Sequence, residues 1–341
     1  MGALMRKGGT VISVAALALC GFVSSVAFGQ QKLAQTGMKF LNVGTNARVT
    51  AMGEAFTSVE GLSSSIYYNP AGMARLGSSM DAFFGQTKWI ADIKYNYGSL
   101  AISPARGDYG VFGIMAMSVD YGEMFETIRA PNPDGYLDLG TFSPSAKMIG
   151  FGYAKALSDK FSVGGTVKYV KQTLGSSTVG FDAGDTRVRT KNDANVLAYD
   201  FGILYRTGFK SLNFGMTVRN FSKEIKYEKE DFQLPLIFKM GLSMNAMDLF
   251  DINPENHSFL ISVDAAHPRD FKEQLNFGGE YVFMQILALR AGYMLNNDEF
   301  GFTGGVGIQK AFSDLQVGFD YSYTPFGIFD KVQRISVHLS F

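Results

Sequence analysis

From Ser79 to the C-terminus, apolar and polar residues alternate with a period of two in blocks of about nine to thirteen residues. The last block is the cleanest. Ile335, Val337, Leu339 and Phe341 fall on one face, and Arg334, Ser336, His338 and Ser340 on the other. Just upstream, Leu315, Val317, Phe319, Tyr321 and Tyr323 alternate with Gln316, Gly318, Asp320 and Ser322. The same rhythm runs through 275–283 (Leu275, Phe277, Gly279, Tyr281, Phe283) and 161–169 (Phe161, Val163, Val167, Tyr169). A helix would need a spacing of three to four, which these blocks lack, so they are predicted as strands.

Read this way, the chain holds fourteen strands, near 79–88, 92–102, 109–119, 145–157, 161–173, 194–206, 211–219, 235–244, 257–265, 273–283, 286–294, 302–311, 314–323 and 332–341. A β-sandwich also alternates, but its outward face is the polar one. Here the apolar face carries Phe and Tyr, while the other is small, polar and rich in glycine. That distribution predicts an all-β fold, a transmembrane antiparallel β-barrel with an apolar outside and a wet or filled inside. The connections point the same way. Those at 103–108, 158–160, 207–210, 284–285 and 312–313 are short, with 245–256 the exception. Those at 120–144, 174–193, 220–234, 266–272, 295–301 and 324–331 lie on the opposite end with a brief turn near Trp89, and most are long.

Residues 30–78 break the alternation. Asn46 to Val59 has a helical spacing, with Ala47, Ala51 and Ala55 four apart and Met52, Phe56 and Val59 beside them; Gly61 is placed to end it. Further on, Asn69 is placed to cap a short helix that begins at Pro70. So short a segment has no core of its own, and it is expected as a partly helical hatch inside the barrel.

Composition sharpens this picture. The chain has 39 Gly, 30 Phe and 16 Tyr against one Trp, which favours strands and tight turns. Lys plus Arg and Asp plus Glu both number 31, so no basic surplus marks a nucleic-acid partner. At the N-terminus, Arg6 and Lys7 precede an apolar run, and Ala27-Phe28-Gly29 supplies small residues for cleavage. The expected organisation is a signal peptide over 1–29, a hatch over 30–78 and a barrel over 79–341. Cys20, the single cysteine, falls in the signal segment, which leaves the mature chain without thiol or disulfide chemistry.

The N-terminal stretches Phe40-Leu41-Asn42-Val43-Gly44-Thr45-Asn46-Ala47-Arg48, Ala51-Met52-Gly53-Glu54-Ala55-Phe56-Thr57 and Tyr68-Asn69-Pro70-Ala71-Gly72 resemble the start of the PorV/PorQ family of outer-membrane proteins, within the FadL-like group of fourteen-stranded barrels. The resemblance implies a hatch motif at Gly44, Ala47, Arg48, Ala51, Met52, Gly53, Ala55, Phe56, Asn69, Pro70, Ala71 and Gly72. It also implies that the aromatic C-terminus (Ile335, Val337, Leu339, Phe341) is read by the barrel-insertion machinery. In function it implies an outer-membrane barrel that binds exported protein cargo or type IX secretion components. The wider group implies the alternative, a transporter or channel for a hydrophobic ligand. A structural envelope barrel is the third reading.

Catalytic chemistry finds little support. The three histidines, His257, His267 and His338, are scattered, and no metal-ligand or nucleophile–base spacing occurs. The run Gly301-Phe302-Thr303-Gly304-Gly305-Val306-Gly307 lacks the strand–loop–helix setting of a phosphate loop and suits close packing on an inward face. Asp182, Asp185, Asp193, Asp248 and Asp251 lack calcium-loop spacing. No enzyme activity, cofactor or metal is expected. On the alternation, Lys168, Asp200, Arg290 and Asp320 face the lumen, where opposite charges more often fix a barrel's shape than form a path. Met38, Phe40, Met52, Phe56 and Met73 could wall an apolar pocket behind the hatch, or serve as its packing surface. In the long loops Asn132, Asp134, Tyr136 and Leu139 mix polar and apolar groups, as a docking surface would.

Overall fold

The computed structural model describes residues 36–184, 186–227, 230–250, 257–297, 301–329 and 331–341. The expected signal peptide and the first residues of the hatch lie outside them. Eighteen strands occur in chain order among the described residues. The first nine are β1 (Met80–Lys88), β2 (Lys94–Ile102), β3 (Val111–Asp120), β4 (Met124–Arg129), β5 (Tyr136–Phe142), β6 (Ser145–Ala156), β7 (Phe161–Phe181), β8 (Arg187–Arg206) and β9 (Asn213–Ser222). The rest are β10 (Ile225–Tyr227), β11 (Glu230–Phe232), β12 (Ile237–Asn245), β13 (His257–Pro268), β14 (Gln274–Phe283), β15 (Leu287–Leu295), β16 (Phe302–Phe312), β17 (Leu315–Pro325) and β18 (Lys331–Ser340).

Fourteen of these close into one antiparallel barrel, each pairing with its neighbour along the chain and β1 meeting β18 at the seam. Alternation and burial agree strand by strand. In β3, Val111, Met115, Met117 and Val119 point inward and are buried, while Phe112 and Ile114 point outward and are exposed. In β18, Arg334 and Ser336 are buried inside, and Ile335 faces out. Large apolar side chains on the outside of a closed sheet have no protein to cover them, which is the condition a lipid environment satisfies.

Two expectations need correction. The stretches read as long loops at one end hold further strands. The pair β4–β5 forms a hairpin inside 120–144, β10–β11 forms another inside 220–234, and β7 and β8 run on through most of 174–193. Their sequences, such as Ser177-Thr178-Val179 and Arg187-Val188, alternate too weakly to stand out but favour extended backbone. The helix expected over 46–59 is also shorter than its pattern. Only Ala47–Ala51 is α-helical, because Gly53 and Glu54 turn into the left-handed region at φ 62° and 59°. A Cβ on Gly53 would stand 2.8 Å from the Phe277 carbonyl oxygen, so close approach to the wall also demands glycine there.

The hatch traverses the lumen. It starts at Thr36, bridged to Gln233 at the long-loop end, and reaches the short-turn end, where the Arg75 guanidinium donates to the Ser158 carbonyl at 2.6 Å. Its 3-10 turn Pro70–Arg75 is capped by Asn69, whose side chain accepts from the Ala71 N–H at 3.1 Å. No described helix is long and apolar enough to cross a membrane, so any crossing is made by strands.

Candidate functional site: the hatch and the cavity above it

The hatch is held to the wall by buried polar contacts concentrated on β12–β18. Asp264 accepts from the Phe56 and Thr57 N–H groups at 3.0 Å and from the Thr57 hydroxyl at 2.6 Å. Arg48 grips Glu280 with two hydrogen bonds of 2.7 and 2.5 Å. Arg290 donates to the same Glu280 at 2.5 Å and to Asp320 at 2.6 Å. The result is a ladder of alternating charge from hatch to wall. Arg334 donates to the Gly44 carbonyl at 2.7 Å, and the Gly53 N–H donates to Thr303 at 3.0 Å.

On β1–β3, β6 and β7 the inner wall is mainly apolar. Phe83, Tyr95, Tyr97, Met115, Met117, Met148 and Val170 form one buried cluster with the hatch residues Ile66, Tyr67 and Met73. Tyr67 and Tyr97 meet edge to face at 5.5 Å. Inward glycines let the hatch sit flush. A Cβ on Gly164 would lie 2.5 Å from the Ala71 nitrogen, and one on Gly278 would lie 2.5 Å from the Met52 carbonyl oxygen. In the glycine-rich run, a Cβ on Gly305 would lie 2.6 Å from that of Ala51. Close packing therefore accounts for those glycines.

The residues marked in the sequence fall as follows. Ala47, Ala51, Met52, Ala55, Phe56, Asn69 and Ala71 are almost wholly buried against the wall. Gly44, Gly53, Pro70 and Gly72 lie in the buried hatch backbone, and Arg48 reaches the ion ladder. The four lumen residues all point inward, as two pairs. Lys168 lies 2.7 Å from Asp200, and Arg290 pairs with Asp320. Lys168 also donates to Asn220 at 2.6 Å. Ile335, Val337 and Leu339 face outward on β18, and Phe341 ends beside β1, its N–H donating to the Met80 carbonyl at 2.8 Å. Sequence reasoning put Arg334 on the polar face of the last strand without a role, and it gave none to Glu280, Asp264, Asp81 or Lys239. Each is a charge at an inward position of a strand, and a strand-by-strand search of that phase finds them.

Above the hatch, toward the long-loop end, a cavity of about 630 Å³ remains. Its floor is Met38, Phe40 and Val43, and its rim includes Trp89, Ile93, Phe271 and Phe326. Of the five residues considered as a pocket wall, Met38 and Phe40 line it; Met52, Phe56 and Met73 are instead fully packed. Trp89 stands edge to face with Tyr95 at 6.1 Å and with Phe326 at 5.2 Å. A few polar groups interrupt the apolar lining. Lys239 lies 3.7 Å from Glu54, and the Arg219 guanidinium covers the Tyr67 ring at 4.1 Å. An apolar chamber with a small number of convergent polar groups suits a small ligand. Among the described residues no group of three His, Cys, Asp or Glu gathers to hold a metal.

No protein-family model and no curated protein matches this chain. Solved structures do resemble it. They include the monoaromatic hydrocarbon channel CymD (TM-score 0.58, 13% identity, 88% of this chain and 98% of that one). The Ralstonia pickettii toluene transporter TbuX gives 0.54 at 12% identity, over 87% and 97% of the two chains. A Pseudomonas aeruginosa FadL homologue gives 0.51 at 13% identity, over 88% and 98%. The likeness extends over nearly the whole length of each, and at these identities it defines the fold. The chain is a closed fourteen-strand barrel and shares its fold with these three solved barrels. Nothing in these likenesses singles out the PorV/PorQ subgroup.

Proposed function

We propose that this protein is an outer-membrane barrel that takes an apolar small molecule into the chamber above its hatch and passes it inward. One observation carries the reading. The hatch packs its buried residues against the wall, and toward the long-loop end a chamber of about 630 Å³ remains above it, behind Trp89, Phe271 and Phe326. Burial of an aromatic or aliphatic body in such a chamber is favourable at roughly 25 cal/mol per Å² of apolar surface. Two structural neighbours described as a toluene transporter and a monoaromatic hydrocarbon channel supply a ligand class to try first.

Trp89 is the only tryptophan in the chain and lines the chamber, so the protein carries its own probe. In vesicles, toluene or a longer apolar analogue is expected to change Trp89 emission saturably. Ile90→Arg places a charge on the lining and should weaken that response about tenfold or more. A flat titration with every apolar ligand tried would end the transporter reading. The competing reading, capture of exported protein cargo or secretion components, rests on exposed Phe125 and Leu137 of the β4–β5 hairpin. Mild-detergent purification separates the two. Apolar molecules bound to the barrel support the transporter, whereas a stoichiometric protein partner without them supports capture. The roles of the hatch motif and of the aromatic C-terminus in insertion belong to the same proposal.

A further inference from the structure

The outward face of the barrel carries a charge pattern that the chamber does not explain. Near the long-loop end, Lys88 of β1 sits directly opposite Lys94 of β2, and Lys147 of β6 directly opposite Lys171 of β7. Lys88, Lys94 and Lys147 are exposed, and the Lys171 side chain is 44% exposed. Like charges paired across strands repel, so two such pairs on one face are unfavourable without an anion between them. On the strands themselves two carboxylates share the face: Asp120 is opposite Lys94, and Asp193 lies 3.6 Å from Lys171. The strand lysines outnumber them, and Asp92 and Glu123 are exposed in the adjoining connections. Asn96 and Ser118, opposite one another on β2 and β3, add hydrogen-bonding groups between the two lysine pairs.

Below this row the same strands present Phe84, Ile114, Ile149, Phe151 and Tyr169, all exposed and outward. The strands involved are neighbours, so the row spans about four interstrand steps, roughly 19 Å at 4.8 Å each. The opposite side of the barrel differs. At the same end, β14–β17 offer Leu275, Tyr293, Phe302 and Tyr323 in outward positions, with Tyr293 and Phe302 rings 4.6 Å apart. Other exposed lysines stand at the same end, Lys223 after β9, Lys272 before β14 and Lys331 on β18. Among the described strand pairs, though, only these two set lysine directly opposite lysine, which amines merely extended to an interface would not require.

We propose that this row is a binding site for a phosphorylated glycolipid of the outer leaflet, with the phosphates on the two lysine pairs and the acyl chains along the apolar strip beneath. The inference rests on the outer-membrane reading above. Ammonium groups act as point charges toward phosphate, and the patch joins such charges to a surface that an acyl chain can cover.

The test uses the full chain in detergent with diphosphorylated lipid A, monophosphorylated lipid A and a phosphate-free glycolipid, followed by native mass spectrometry. Retention should fall in that order. The variant Lys88→Gln/Lys94→Gln/Lys147→Gln/Lys171→Gln should bind the diphosphorylated form about tenfold more weakly, while Lys310→Gln, on the outward face at the other end, should change it less than about twofold. Heat-modifiable gel migration checks that each variant is folded. If the fourfold variant does not fold, Lys147→Gln/Lys171→Gln takes its place, with about a threefold loss expected. Equal retention of the phosphate-free lipid, or of lipid A by the lysine variants, would overturn the site. Membrane fractionation tells this failure from the larger one: a barrel in the outer membrane without lipid preference removes the site alone, and a barrel found elsewhere removes both readings.

Discussion

The two sides of the inner wall meet the hatch with opposite chemistry. Strands β12–β18 offer Asp264, Glu280, Arg290, Asp320 and Arg334, all buried, and the hatch answers with Arg48, Thr57 and its own backbone. Strands β1–β3, β6 and β7 offer mainly tyrosine, methionine and valine, and the hatch answers with Ile66, Tyr67 and Met73; the polar exception is Asp81 of β1, which accepts from the Ser63 N–H at 2.7 Å. The difference separates two tasks. Apolar contact contributes most of the attraction but tolerates sliding, because dispersion and burial have little directionality. Hydrogen-bonded ion pairs contribute less net stability for their desolvation cost, yet they are satisfied in one register only. A hatch with only the apolar face would be adherent but poorly positioned, and the chamber depends on its position.

The largest effect is expected on the polar side. Glu280 is shared by Arg48 and Arg290, so Glu280→Ala leaves two guanidinium groups without their common partner. Breaking a buried pair in this way costs about 3–5 kcal/mol, with the lower end favoured here because the Arg48 side chain is 24% exposed. Urea unfolding in vesicles, followed through Trp89, measures it. Removing Arg48 as well should recover part of the loss. A cost below about 1 kcal/mol would show that the ladder does not hold the hatch.

A somewhat smaller effect is expected on the apolar side. Met115 of β3 is fully buried and lies seven strands around the barrel from Glu280 of β14. Met115→Ala should cost about 2–4 kcal/mol through lost burial and a residual cavity. Combined with Glu280→Ala, the two costs should add to within about 0.5 kcal/mol, as independent sites do. A clear departure from additivity would mean that the hatch responds as one rigid body and that the two sides are not separate.

How far the sequence alone reaches follows the same division. The strands were legible because each has a side facing away from the protein and a side facing in, so a period of two is written plainly. Twelve of the fourteen barrel strands fall within a few residues of the alternation blocks, and β7 and β8 extend seven or eight residues beyond theirs at the long-loop end. The same period sets Lys168, Asp200, Arg290 and Asp320 at inward positions, but which charge pairs with which depends on strand register, and alternation alone does not give it. The chamber was not legible. It is made where Trp89, Phe271 and Phe326 from three connections converge on Met38 and Phe40, and local periodicity says nothing about convergence. One trace was available: Tyr95 and Tyr97 stand on the inward face of β2, where most strands place small or polar residues. The outer hairpins were missed because few of their residues are covered, so their alternation is weak.

Tyr67 sits where the two sides meet and supports the smallest of these effects. Its hydroxyl donates toward the carbonyls of Leu41 and Val43, at 2.7 and 2.9 Å, and so ties the Ser65–Tyr68 helix to the strand of hatch that floors the chamber. Tyr67→Phe keeps the ring against Tyr97 and removes only the donor, a loss of about 1 kcal/mol. Alkaline pH offers a second handle. Burial pushes the Tyr67 phenol up to about 12, against the opposing pull of the Arg219 charge. A raised pKa means that the folded protein prefers the neutral phenol relative to the unfolded chain. The contribution is therefore complete below the unfolded value of about 10 and lost as pH rises through about 12. Wild type should lose hatch stability across that window, and the Phe variant should lose less by the share that Tyr67 carries. Equal slopes for the two proteins would show that the hydroxyl is not the tie between the helix and the chamber floor, and the register of the hatch would then rest on the ion ladder together with the Asp264 and Arg334 contacts.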